Sequence, residues 1–196
     1  MVISEKQTKD LLTTSKIGRY AINPYVGCPH ACKYCYASFM KRFTNHPEAW
    51  GDFIDVKRCD RKIDLRKIAG KNVFMSTATD CYNPYEAKYG ITRSILEQLV
   101  GSDCHLQIST KNKLILRDMD LLKRMKHLSI AMSVNTLDEN FRRDMDKGST
   151  IRERLDTLRT FHDEGIYTIL FMSPIFIGIT DWLAIIEQSR NFISEY

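Results

Sequence analysis

The 196-residue sequence predicts an α/β fold, a parallel sheet or partial parallel (β/α) barrel. Three observations carry that expectation. Short β-rich runs alternate with amphipathic stretches. The crossovers between runs are roughly 20 to 30 residues long, as parallel strands require. One helix carries both its start and its stop signal.

The first strand is Tyr20 to Asn23, and it runs into a Pro24 to Pro29 loop that carries the first cysteine. Val73 to Met75 reads as the second strand, after which Ile91, Ile95, Leu96 and Leu99 mark one face of a helix. Leu106 to Ile108 is the third, followed by a helix around Leu121, Leu122 and Met125. Ile130 to Val134 is the fourth. The helix after it is the best marked: Thr150 and Glu153 form a capping box, Ile151, Leu155, Leu158 and Phe161 share a face, and Gly165 supplies the stop. Tyr167 to Met172 is the fifth strand, closed by Ser173-Pro174, and Trp182 to Phe192 reads as the fifth helix. Phe39 to Gly70 fits no simple alternation and is expected to hold the first crossover helix plus an insertion.

The expected organisation is an N-terminal extension over 1–19 and a core over 20–196. A chain that stops at Tyr196 after a fifth β/α unit leaves a barrel open, with a strand edge to cover, so the core is expected to be truncated.

Composition points to an ordinary globular protein of one domain, with 43% hydrophobic and 27% charged residues. No apolar run approaches the length of a membrane span. The first ten residues include Glu5, Lys6 and Lys9 and lack a signal core, so a cytoplasmic location is expected. The net charge of +5 permits a polyanionic partner without demanding one. Lys57, Arg58, Arg61, Lys62, Arg66 and Lys67, interrupted by Asp60 and Asp64, read as a solvated helix face.

Cys28, Cys32 and Cys35 stand together in a C-x3-C-x2-C loop, while Cys59, Cys81 and Cys104 are scattered. A structural zinc site needs four protein ligands, and no second cysteine or histidine pair follows. His30, between two of the cysteines, would be strained to reach the same ion. Three soft thiolates suit an iron-sulfur cubane with one open iron, which can bind a further ligand.

The C-x3-C-x2-C loop after a first strand, with Tyr34 just before the third cysteine, resembles the signature of the radical SAM enzymes. Asn23-Pro-Tyr-Val-Gly-Cys-Pro-His, Ser76-Thr-Ala-Thr-Asp80 with Asn83-Pro-Tyr-Glu86, Thr110-Lys111 with Leu114 to Asp118, and Ser133 to Asp138 resemble the spore photoproduct lyase-like, or DNA repair photolyase-like, branch. The resemblance runs from about Tyr20 to Asp181 and implies a barrel of the radical SAM type. It also implies a 4Fe-4S cluster on Cys28, Cys32 and Cys35, with S-adenosylmethionine on the open iron. The implied activity is reductive cleavage to a 5'-deoxyadenosyl radical, fed by an electron donor such as a flavodoxin or ferredoxin.

By the same resemblance, Thr79 and Asp80 contact the methionine amine, Lys111 meets the carboxylate, Ser133 and Asn135 serve carboxylate or ribose, and Tyr34 stands beside the adenine. Where lyases of the branch carry a cysteine hydrogen-atom donor just before the hydroxyl and carboxylate pair, this sequence has Ala78. Cys81 is either a catalytic thiol facing the site or a small buried hydrophobe. The substrate is left open, with a nucleic acid among the options and thymine-dimer repair disfavoured. Arg117 with Asp118, and Asp138 with Asp146, read as helix-start and ion-pair elements. A non-catalytic iron-sulfur or zinc sensor and an inactive fragment of a longer enzyme are the alternatives.

Overall fold

The computed structural model describes residues 1–196. Its strands are β1 (Val2–Gln7), β2 (Leu12–Thr14), β3 (Tyr20–Ile22), β4 (Tyr25–Val26), β5 (Phe53–Arg58), β6 (Asn72–Met75), β7 (His105–Thr110), β8 (His127–Ser133) and β9 (Tyr167–Phe171). Its helices are α1 (Leu65–Ile68), α2 (Glu86–Tyr89), α3 (Ile91–Leu99), α4 (Met119–Leu122), α5 (Glu139–Met145), α6 (Ile151–Asp163) and α7 (Trp182–Ser189).

The main sheet runs β2-β3-β6-β7-β8-β9, and the five strands from β3 to β9 are parallel and in chain order. All five C-terminal strand ends therefore lie at one edge. In β7 Leu106, Ile108 and Thr110 are buried while His105, Gln107 and Ser109 are more open, the period-two pattern of a strand with two different faces. The apolar face packs on α3, whose Ile95, Leu96 and Leu99 are fully covered, and on Phe161 of α6. A smaller core joins Met132, Leu158, Leu170 and Ile185 beneath β8 and β9.

The predicted capping box at Thr150 and Glu153 is present, and Asp138 caps α5 through the amides of Asn140 and Phe141. Asp118 holds ion pairs but no helix amide. Together with Glu86 it forms a fully buried pair at the start of α2 and beside α3: Arg117 reaches both carboxylates, at 2.7 and 2.8 Å. Arg93 and the Tyr82 hydroxyl complete Asp118, while the Tyr25 hydroxyl and the Thr92 amide complete Glu86.

The Phe39 to Gly70 segment corrects the sequence expectation. It holds no crossover helix, only a 3-10 helix at Tyr36–Phe43, then β5 and the single turn of α1. Lys57 and Arg58 therefore sit on a strand, and Arg58 pairs with Glu5 across the β1 and β5 register. β5 lies between β1 and β4 with Phe53 to Val56 all buried, so it lacks the alternation that marks a strand in sequence. Residues 1–19 supply β1 and β2, one to each sheet. The β9 edge is partly covered, since the Leu170 amide donates to the Glu195 carbonyl and the Ser194 amide to the Thr168 carbonyl.

Candidate functional site

The cysteine loop leaves β4 through Gly27, whose backbone is left-handed (φ 80°) and where a Cβ would sit 2.3 Å from the Phe53 carbonyl oxygen. Successive tight turns follow: the Ala31 amide donates to the Cys28 carbonyl and the Cys35 amide to the Cys32 carbonyl. The loop thus folds over the C-terminal edge of the main sheet. Between the two lies a cavity of about 370 Å³, on whose wall stand Cys28, Cys32 and Cys35.

The other walls come from the strand ends. After β6 the chain makes a rigid turn held by Asn23, whose side-chain carbonyl accepts from the Ala78 amide and whose amide group donates to the Thr77 hydroxyl. This turn presents Ala78, Thr79 and Asp80 to the cavity. The Thr79 hydroxyl makes no hydrogen bond within the protein. Asp80 differs: one oxygen accepts from the Thr110 hydroxyl (2.7 Å) and the Tyr82 amide (2.9 Å), and the other accepts from the Lys111 amide (2.8 Å). His30 Nε2 lies 3.1 Å from that second oxygen, within ion-pair range though out of hydrogen-bond alignment. A carboxylate offers about four acceptor positions, and here three accept hydrogen bonds while His30 stands against the second oxygen. Burial alone would push the Asp80 carboxyl up, but His30 and the surrounding donors outweigh it and hold the group at about 2.

Lys111 follows β7. Its ammonium donates to the Ser133 hydroxyl at 2.8 Å and sits 5.8 Å from the Tyr34 ring centre, with no carboxylate partner. An ammonium has three donors, so two are free. Tyr34 donates its hydroxyl to Asp146 at 3.0 Å, and burial followed by that carboxylate raises its phenol. Burial opposes ionisation of Asp146 as well, but Arg154 beside it prevails and lowers the carboxyl.

Two thiols of the cysteine loop are strongly perturbed. Burial pushes Cys28 up to about 12 and Cys32 up to about 11. Both are protonated at neutral pH in the unloaded protein, so any thiophilic metal must displace protons to bind.

Of the residues singled out in sequence, Cys28, Cys32, Cys35, Tyr34, Thr79, Asp80, Lys111 and Ser133 all reach this one cavity. Two do not. Asn135 is buried behind the edge: β8 ends at Ser133, so strand alternation no longer governs it, and the turn carrying Thr180 closes over its backbone carbonyl. Cys81 is fully buried in the main core with its amide tied to the Ser76 hydroxyl, which removes it as a thiol facing the cavity. Asn23 and Arg154 carry no functional signal in the sequence, and Asp146 carries only that of a generic ion-pair element. Only side-chain hydrogen bonds across long sequence separations reveal them.

The radical SAM superfamily model matches residues 22–187. The chain belongs to that superfamily. Its members work with a 4Fe-4S cluster and S-adenosylmethionine. The chain is 36% identical to an uncharacterized protein of Methanocaldococcus jannaschii, covering all of this chain and 75% of that one. It is 29% identical to an uncharacterized protein of Acidianus two-tailed virus, over 80% of this chain and 56% of that one. Among solved structures, spore photoproduct lyase complexed with dinucleoside spore photoproduct superposes with a TM-score of 0.68 at 18% identity, over 89% of this chain and 52% of the lyase. A lyase variant with bound AdoMet and the same dinucleoside gives 0.67 at 16%, over 88% and 51%. At such identity these likenesses establish the fold, and the chain spans about half the length of the lyases. No helix of the structure is long and apolar enough to cross a membrane.

Proposed function

We propose that Cys28, Cys32 and Cys35 hold a 4Fe-4S cluster with one open iron, and that the cavity beside it seats S-adenosylmethionine for radical generation. When bound and supplied with one electron, the pair provides reductive sulfonium cleavage to methionine and a 5'-deoxyadenosyl radical, which takes a hydrogen atom from substrate. The observation that carries this reading is that three thiols share one cavity with a cation holding free donors and a hydroxyl lacking any partner. No three His, Cys, Asp or Glu side chains are gathered for a single metal ion. The His30 Nδ1, buried with no partner, adds an unfilled polar direction between two of the cysteines.

Each wall then has a task. Lys111 directs its spare donors at the methionine carboxylate, as an ammonium fixed by Ser133. Thr79 offers its hydroxyl to the methionine amine. Asp80, its lone pairs engaged, acts from behind: it supplies negative charge and locks Thr110, Lys111 and His30 in place. Tyr34 presents a ring face on the adenine side.

The six cysteines stand unpaired, in keeping with a reducing cytoplasm and an electron donor of the flavodoxin or ferredoxin class. Ala78 lines the cavity and Cys81 does not, so no thiol stands ready to donate hydrogen from this wall. A substrate other than the spore photoproduct follows from that difference. The test is anaerobic reconstitution with iron and sulfide, then chromatography for 5'-deoxyadenosine after adding dithionite and S-adenosylmethionine. The wild-type chain is expected to form it and Cys28→Ala to form none; a fully loaded wild type that yields none refutes the reading.

A further inference from the structure

We propose that Asp146 is a positioning residue for Cys32, because the turn after α5 clasps the middle of the cysteine loop and sets where the Cys32 sulfur and the Tyr34 ring stand. This rests on the reading of Cys32 as a cluster ligand. Three contacts make the clasp, and they fall on both sides of Cys32. The Lys147 amide donates to the His30 carbonyl at 2.8 Å, the Lys33 amide donates to the Met145 carbonyl at 2.9 Å, and the Tyr34 hydroxyl donates to Asp146 at 3.0 Å.

Asp146 is in turn anchored from the opposite side. Arg154 Nη2 reaches it at 2.5 Å and the Gly148 amide at 2.9 Å, and both side chains of the ion pair are only 1% exposed. The same guanidinium donates to the carbonyl of Ser133 at 2.9 Å and to that of Ser149 at 2.8 Å. The anchor therefore reaches the strand end whose hydroxyl holds the Lys111 ammonium. Gly148 is required by space: a Cβ there would stand 2.8 Å from Arg154 Nη2 and 2.9 Å from Lys111 Cβ. A buried ion pair that served packing alone would need only its two members. This one also takes a hydroxyl two residues from the central cysteine.

The test uses thiol labelling in the apo protein and electron paramagnetic resonance in the loaded one. Tyr34→Phe removes a single hydroxyl and keeps the ring; Asp146→Asn removes the charge. Reduced apo protein is alkylated with iodoacetamide and each cysteine is read by peptide mass spectrometry. In Tyr34→Phe the Cys32 thiol is expected to react at least about fivefold faster while Cys28 changes less than about twofold. Cys81 and Cys104, both in the core, report that the fold is intact by staying protected. The reduced cluster of the same variant is expected to show shifted g values, which a bond remote from the cluster would leave alone. Labelling of Cys32 at the wild-type rate, or an unchanged spectrum, in Tyr34→Phe overturns the proposal. If Asp146→Asn also unmasks Cys81 it has unfolded, and Tyr34→Phe decides alone. The labelling needs no iron, so its failure is separable from a failure to generate the radical.

Discussion

Two buried ionic clusters in this molecule are built from the same residue types and end in opposite states. At the start of α2 and beside α3, Glu86 and Asp118 are wholly buried and closed off by Arg117, Arg93, two tyrosine hydroxyls and two backbone amides. Around the cavity, Asp80 and Asp146 are likewise bonded, but the groups around them are not: Lys111 keeps two free donors, Thr79 has a free hydroxyl, and the His30 Nδ1 has no partner. A closed cluster fastens helices to a sheet. An open one, rigid behind and unsatisfied in front, is a preorganised binding wall.

The comparison breaks first at the closed cluster. Glu86→Ala leaves the Tyr25 hydroxyl and the Thr92 amide without their acceptor and Arg117 with Asp118 as its one remaining carboxylate, and is expected to cost about 3 kcal/mol in urea unfolding. Iron bound per folded molecule should not change, because Glu86 does not line the cavity. The acid limb tests the open cluster. The Asp80 carboxyl is lowered from 3.8 to about 2 on folding, so its contribution is present above pH 4 and is lost as pH falls through 2. Asp80→Asn should flatten the apo protein's stability across that window, by on the order of 2 kcal/mol, as measured by denaturant midpoints at each pH.

A smaller change separates binding from folding within the open cluster. Lys111→Met is expected to weaken S-adenosylmethionine binding to the loaded protein about tenfold, near 1.4 kcal/mol, with a melting temperature close to wild type. That follows from Ser133 being the only protein partner of its ammonium. The smallest effect belongs to Cys81→Ala, a core thiol outside the cavity. Formation of 5'-deoxyadenosine should stay within about twofold, and stability should fall by about 1 kcal/mol for the lost packing.

The open cluster was more legible in sequence than the closed one, because its residues sit at strand ends beside a distinctive cysteine spacing. Five parallel strands and the α6 capping box followed from alternation and caps, and the resemblance pointed to eight residues of the cavity wall. β5 did not, since a strand covered on both sides shows no alternation. Asn135 was named by resemblance alone, and sequence carries no sign that the Thr180 turn packs over its backbone carbonyl and keeps it off the cavity wall. The internal engagement of Asp80 was invisible for another reason: three of its four partners lie 30 residues or more away in the chain. Motif position can mark a carboxylate as belonging to a site, but only geometry says whether its lone pairs are still free.

The central claim is that three thiols hold a cluster whose open iron faces the S-adenosylmethionine cavity. The most direct measurement is the electron paramagnetic resonance spectrum of the anaerobically reconstituted, reduced protein with and without S-adenosylmethionine. A 4Fe-4S signal that changes on adding the cofactor, and that is missing from Cys28→Ala, Cys32→Ala and Cys35→Ala, is the predicted result. A fully loaded protein whose spectrum is indifferent to S-adenosylmethionine would contradict the account and favour a cluster that only senses redox state.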